Sequence, residues 1–219
     1  AFALLLVAAS IISGIQALRA DRQKNRALRA EESAKQQEAD QKAILIFLTE
    51  TLLASPRPEG EGGLGPKVTM RQAVDAAEAR ISETFSNRPA VEATVRQSLG
   101  MTYSFLGETP KAIRQLEISL EMRKQLFGLD DPQTVDTMAE LGDACRGVPP
   151  LDRSFKLHEE VLRIRTDKLG PTNRATLRSI FLVATAYRGA RRGADALTEY
   201  GRSYGLAFQV VDDILDVVA

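Results

Sequence analysis

The residues with the clearest chemical potential lie near the end of the chain, where Asp212, Asp213 and Asp216 form a D-D-x-x-D pattern within LTEYGRSYGLAFQVVDDILDVVA. Asp212 and Asp216 are four apart and share a helix face, which offers hard oxygen ligands to a hard cation such as Mg2+ that keeps phosphate and water in its shell. Metal-assisted departure of a diphosphate needs a second carboxylate cluster on a facing helix, so that several ions flank the leaving group. The chain has no other D-D-x-x-D, and Asp130-Asp131, followed by Pro132, reads as a helix cap. A second pattern, G-x-G-x-x-G at Gly60, Gly62 and Gly65, cradles phosphates only where a strand and a helix fix its backbone amides. Here a Pro-rich stretch precedes it and Pro66 follows, so no nucleotide site is expected. A single cysteine, Cys145, and a single histidine, His158, exclude an intramolecular disulfide framework and any multi-thiolate or multi-histidine metal site. Cys145 is expected as a buried thiol and His158 as a packing or surface histidine.

The elements around these residues read as helices. The 219 residues include 44% apolar side chains but only 5% aromatic ones and no Trp, a mixture suited to packed helices built from Ala, Leu, Val and Ile. Equal counts of 29 basic and 29 acidic groups argue against a strongly basic nucleic-acid binder. Residues 1–18 carry no charge before Arg19, Arg22, Lys24, Arg26 and Arg29, and predict a single-pass membrane anchor. A buried or signal-derived apolar helix is the alternative. The basic flank would keep the following domain cytoplasmic. Residues 19–54, rich in Ala, Glu, Gln, Lys and Arg, predict a helical stalk whose apolar end (Ile44, Ile46, Phe47, Leu48, Leu52 and Leu53) could dock. Residues 55–68 hold a Pro/Gly-rich stretch and predict a disordered or extended linker.

From residue 69 to about residue 200 the chain repeats itself with a step of 42. That step relates Leu99-Gly100 to Leu141-Gly142, Leu120 to Leu162, Arg123 to Arg165, Gly128 to Gly170, Thr134 to Thr176, and Tyr103 to Cys145 to Tyr187. Each unit reads as two helices, A and B. The spacing predicts helix A over 89–105, a turn at Leu106-Gly107-Glu108, Thr109 as N-cap ahead of Pro110, and helix B ending at Gly128. The second unit opens with Asp131 as cap and closes at Gly170, and the third starts at Pro171. Thr69 and Gln72 have capping-box spacing for a helix reaching Phe85. Gly100, Gly142, Ala112, Ser154 and Ala196 are small enough to let paired helices approach, while Leu99, Leu116, Leu120, Leu141, Leu162 and Val183 fill the seam.

The period, the L-G-x-x-Y spacing at Leu99-Gly100 and Tyr103, and the segments LFGLDDPQTVDTM and DKLGPTNRATL resemble tetratricopeptide repeats of the kinesin-light-chain type. The order of apolar span, stalk, QKAILIFLTETLLASP, loop and repeats, over about residues 1–200, is similar to that behind the catalytic domain of bacterial serine/threonine kinases, especially planctomycete ones. The chain has neither H-R-D-x-x-x-x-N nor D-F-G, so no phosphotransfer role is carried onto any residue. The tail, about residues 197–219 with its D-D-x-x-D helix at 201–219, resembles the second aspartate-rich helix of trans-prenyl diphosphate synthases. That likeness implies Mg2+ binding by Asp212, Asp213 and Asp216, with Phe208 and Gln209 shaping a diphosphate pocket.

The fold expected is all-α: an N-terminal membrane and stalk helix followed by an α-solenoid of helical hairpins. Its function is expected to be non-catalytic recognition of a protein or peptide, without a cofactor, in a concave groove contributed by the A helices. Helix-A positions put Arg96, Gln97, Asp136, Glu140 and Arg178 forward as groove residues. The alternative is prenyl-synthase-like diphosphate chemistry through the tail with Mg2+.

Overall fold

The computed structural model describes residues 2–150 and 152–189, with side chains for Gln16, 18–150 and 152–186. The tail call on 201–219, the end of the third unit and the Tyr187 side chain therefore lie outside the described residues. The chain divides into two compact units, Ala1–Leu53 and Ala54–Ala219.

The first unit is one α-helix, α1 (Phe2–Phe47), prolonged by a π-helical segment, Leu48–Leu53. Its described surface from Leu18 to Ala34 is solvent-exposed, as a segment of Ala, Glu, Gln, Lys and Arg without an apolar stripe must be. Ion pairs and amide bonds at i,i+4 spacing, Glu31–Lys35 and Gln36–Asp40 among them, decorate it. At its end Phe47 is buried, whereas Ile46 and Leu53 are 52% and 75% exposed. Among the described residues no helix is long and apolar enough to cross a membrane. This corrects the anchor expected over residues 1–18 and the single-pass placement with a cytoplasmic repeat domain. The physical reason is legible in the sequence: the uncharged run up to Leu18 is diluted by Ser10, Ser13, Gly14 and Gln16, and Arg19, Asp21, Arg22 and Lys24 follow it at once.

The second unit opens with a folded loop rather than an extended one. Leu64 N–H donates to Ser55 O at 2.7 Å and Gly65 N–H to Arg57 O at 2.8 Å, around a short 3-10 turn at Glu59–Glu61. Gly63 is the residue this compaction requires, because a Cβ there would collide with the Arg57 backbone.

Six helices follow: α2 (Met70–Thr84), α3 (Pro89–Phe105), α4 (Thr109–Phe127), α5 (Pro132–Ala144), α6 (Asp152–Leu169) and α7 (Arg174–Gly189). Their ends follow capping chemistry. Thr69 and Gln72 form a reciprocal capping box, Asp131 accepts from Gln133 N–H at 2.9 Å, and Asn173 accepts from Ala175 N–H at 2.9 Å. Thr109 is not a cap. It is the first residue of α4, and Glu108 precedes it without a side-chain cap bond. Gly128 and Gly170 hold φ of +88° and +83°, which favours glycine after helices α4 and α6.

Helices α3, α5 and α7 are the A helices, and α2, α4 and α6 the B helices. Residues 42 apart occupy equivalent seats. A Cβ on Gly100 would lie 2.7 Å from Leu116 Cγ, and one on Gly142 would lie 2.8 Å from His158 Cε1 and Nε2. Position 158 follows 116 by 42, so His158 fills the seat of Leu116, fully buried against the α5 backbone. Tyr103 and Cys145 are likewise both buried. Tyr103 sits under the Lys111–Asp75 pair, with Lys111 Nζ 5.3 Å from its ring centroid. Cys145 lies in the field of the equivalent Arg153–Glu117 pair, and burial pushes its thiol pKa up. Leu116, Leu120, Val135, Met138, Leu141, Val161 and Ile164 form one apolar cluster across α4, α5 and α6.

Two arginines join neighbouring repeats in the same way. Arg123 Nη1 donates to Gln133 O and Thr137 Oγ1 at 2.8 and 2.7 Å, and Nη2 reaches Thr94 Oγ1 at 3.3 Å. Arg165 Nη1 donates to Ala175 O and Ser179 Oγ at 3.4 and 2.8 Å, and Nη2 to Asp136 Oδ1 at 2.6 Å. Every partner moves by 42 residues with its arginine. Each guanidinium thus bridges the A helix of its own hairpin to the A helix of the next, using the fork geometry that lysine lacks.

Candidate protein-interaction surface

The two faces of the stack differ in how far their polar groups are already used. On the B-helix side, Lys111 Nζ binds Asp75 Oδ1 at 2.6 Å, linking α4 to α2, and Arg153 binds Glu117, linking α6 to α4. The Lys111 ammonium holds the Asp75 carboxyl below its ordinary value, helped by the Tyr103 hydroxyl at 2.7 Å. That hydroxyl also lies 2.8 Å from Glu78 Oε2, and burial followed by these two carboxylates keeps Tyr103 in its neutral form. Gln115 Nε2 donates to Glu78 Oε1 at 2.7 Å and its Oε1 accepts from Arg96 Nη1 at 2.8 Å. This side is a connected polar network along a cleft of 540 Å³ that Asp75, Glu78, Lys111 and Arg114 line.

Arg96 belongs to that network and lines the cleft beside it, together with Asp75, Glu78 and Lys111. It is buried, with Nε on Glu92 Oε1 at 2.8 Å and Nη2 on Ser82 Oγ at 2.6 Å, so it ties α2, α3 and α4 together. Helix-A membership alone had placed it on the groove side, yet its position on α3 turns it toward α4. Met138, 42 residues on, is also buried and points to the same inward seat.

The other four candidates lie on the A helices away from that network. Gln97 Nε2 donates to Glu140 Oε2 at 2.7 Å across the α3–α5 boundary. Burial raises the Glu140 carboxyl above its ordinary pKa, partly offset by the Gln97 bond. Asp136 is exposed and paired to Arg165. Arg178 is exposed on α7.

Sequence reasoning did not pick out the apolar members of this face. Met101 is 38%, Phe105 86% and Phe181 62% exposed. Met101 and Phe105 line a cleft of 370 Å³ with Ser104, Thr109, Leu116, Glu140, Asp143, Ala144 and Arg146. Asp143 pairs with Arg146, and His158 Nε2 lies 3.5 Å from Asp143 Oδ1. Burial draws the Asp143 carboxyl upward, but His158 and Arg146 outweigh it and hold the group below its ordinary value. The signal that could have exposed these residues is the repeat itself: Phe105 aligns with Gly147, so no equivalent apolar seat in the next hairpin explains a phenylalanine there.

Residues 93–133, from α3 through α4 into the first turn of α5, match the tetratricopeptide repeat family. The α3–α4 hairpin is thus similar to a tetratricopeptide repeat. The chain is similar in structure to the kinesin light chain TPR-like repeats of Podosopora anserina, with a TM-score of 0.55, 16% identity, and coverage of 83% of this chain and 92% of that one. It is also similar to BtubC (BKLC) from P. vanneervenii, with a TM-score of 0.55 and 18% identity over 77% of this chain and 65% of that one. At these identities the shared property is the TPR solenoid fold. The comparison with curated proteins gives no match. TPR arrays serve as protein-interaction scaffolds, and that is the class of function this repeat supports. Among the described residues no group of three or more His, Cys, Asp or Glu side chains could hold a metal ion. Asp212, Asp213, Asp216, Phe208 and Gln209 lie outside the described residues, so the diphosphate alternative has no geometry to stand on.

Proposed function

We propose that the A-helix face of α3, α5 and α7 holds an extended segment of a partner protein. One contrast carries this reading: the B-helix face links its helices through the Lys111–Asp75 and Arg153–Glu117 pairs, while the A-helix face leaves Met101, Phe105 and Phe181 exposed beside Gln97, Ser98, Glu140 and Arg178. Exposed apolar groups rimmed by polar ones mark interaction sites. Gln97, Asp136, Glu140 and Arg178 would supply hydrogen bonds and charge to the segment, with Arg96 fixing the hairpin that presents them. A photo-crosslinking residue placed at Phe105 or Phe181 in the producing cells is expected to trap a partner, and the same residue at Glu121 or Lys156 on the B helices is not. Equal trapping from both faces would refute the assignment.

The order of helix, loop and repeats supports, through its resemblance alone, a place for these repeats in a signalling serine/threonine kinase. Mass spectrometry of the intact cellular polypeptide tests this. Peptides of a kinase domain on the same chain are expected, and a polypeptide without them removes the reading.

A further inference from the structure

We infer that the cleft between α3 and α5 selects a partner segment in which a bulky apolar side chain stands next to a lysine or arginine. The inference rests on the scaffold reading and adds the chemistry of what is bound. Leu116, Met101, Phe105 and Ala144 supply apolar walls, and a volume of 370 Å³ lies near the lower end of ligand clefts, about 300–1,000 Å³, which suits side chains of an extended segment more than a folded element. The electrostatics of the cleft are then decided by α5, PQTVDTMAELGDA, which carries three carboxylates and no basic residue.

Two of those three charges are already matched. Asp136 is held by Arg165, and Asp143 by Arg146, whose guanidinium lines the cleft but is committed to that pair. Glu140 differs. It receives only the neutral amide of Gln97 and makes no ion pair among the described residues. Arg123 lends Glu140 some favourable field, but its Nη groups bind the neutral acceptors Gln133 O, Thr137 Oγ1 and Thr94 Oγ1 and make no direct ion pair with it. The cleft is also lined by Phe105 and Ala144, the last residues of α3 and α5, and by Thr109, the first of α4, so two helix C-termini against one N-terminus leave a partial negative charge beside that of Glu140. A cation beside an apolar group meets all of these features, whereas an acidic segment would meet an unneutralised carboxylate in a half-buried site.

The test uses the full chain and three fluorescein-labelled, end-capped nonapeptides with identical Gly/Ser flanks and centres Leu-Phe-Lys, Leu-Phe-Glu or Ser-Ser-Lys, followed by anisotropy at low salt. The Leu-Phe-Lys peptide is expected to bind about tenfold more tightly than either of the others. Glu140→Gln should bring the Lys-to-Glu ratio close to one, with thermal unfolding unchanged. Phe105→Ala, at a site too exposed to matter for folding, should weaken both Leu-Phe peptides by about fivefold. Equal or tighter binding of the Leu-Phe-Glu peptide, or a ratio that survives Glu140→Gln, overturns the charge assignment and leaves the scaffold reading to its crosslinking test. Failure of all three peptides to bind at about 1 mM overturns the inference as well. Crosslinks confined to Phe105 and Phe181 would then still support a partner of other chemistry.

Discussion

At the scale of single residues the packing turns on Gly142. Gly142 lets the His158 ring rest on the α5 backbone, and an alanine there would drive its methyl to 2.8 Å from two ring atoms. We expect Gly142→Ala to lower stability by about 1–3 kcal/mol in urea unfolding, the usual cost of overpacking. Removing the obstacle in His158→Ala should make the alanine at 142 less costly, a coupling that additive effects would exclude. His158 was expected as a packing or surface histidine, and it packs: its ring is fully buried, Nδ1 lacks a hydrogen-bond partner, and Nε2 has only Asp143 Oδ1 at 3.5 Å. What the sequence could not show is that the smallest residue on the facing helix is spent on it. The acid side of the pH profile draws on Asp75 and Asp143, with a smaller part from the more exposed Glu160 beside Arg163. Asp75 and Asp143 titrate below their ordinary value of 3.8 when folded, so the unfolded chain binds protons more readily. Their stabilisation is complete above that ordinary value and is lost as pH falls through the depressed folded ones. The urea midpoint should drop below about pH 4, and Asp75→Asn with Asp143→Asn should flatten that drop. An unchanged acid limb in the double variant would remove both groups from the account.

At the scale of elements, the arginine bridges decide how hairpins align. Arg123 is almost completely buried and reaches α5 and α3 at once. Arg123→Ala leaves the Gln133 carbonyl and the hydroxyls of Thr137 and Thr94 without their donor. A loss of about 2–3 kcal/mol is expected by thermal or urea unfolding, and Arg123→Lys should recover less than half of it. A full rescue by lysine would reduce the bridge to simple charge. The periodicity paired Arg123 with Arg165 from the sequence, and the helix spans of α3 and α4 followed from Pro, Gly and apolar spacing. Their contacts were not legible, because Thr94 and Asp136, or Thr137 and Ser179, share a seat but not a residue type. Arg96 was misdirected for the related reason that membership of an A helix does not state which side of it a residue faces. The loop at 55–68 was read as extended from its Pro and Gly content. Composition alone does not reveal that Ser55 and Arg57 offer carbonyls to Leu64 and Gly65.

At the scale of the whole molecule, the second unit is a stack in which each helix leans on its neighbours in sequence, so its stability is set joint by joint. The all-helical repeat architecture was evident in the 42-residue step because stacking requires equivalent seats. The candidate face was legible in part: helix-A membership put forward Gln97, Glu140, Asp136 and Arg178, which lie away from the polar network, while Phe105 could have been found only by setting it against Gly147 in the next unit. The membrane anchor failed because absence of charge was weighed more heavily than length. The joints themselves are not alike. The position 42 residues before Arg123 is Ile81, a buried aliphatic group with no donor to offer across the boundary. The α2 end of the array is therefore fastened by Tyr103, Lys111, Gln115 and Arg96 instead, several of them through carboxylates that acid will neutralise. In hydrogen exchange the amides of α2 should lose protection ahead of those of α4 and α5, and lose it soonest at low pH. Such a molecule frays from one end, like a zipper whose first teeth are held by a different clasp.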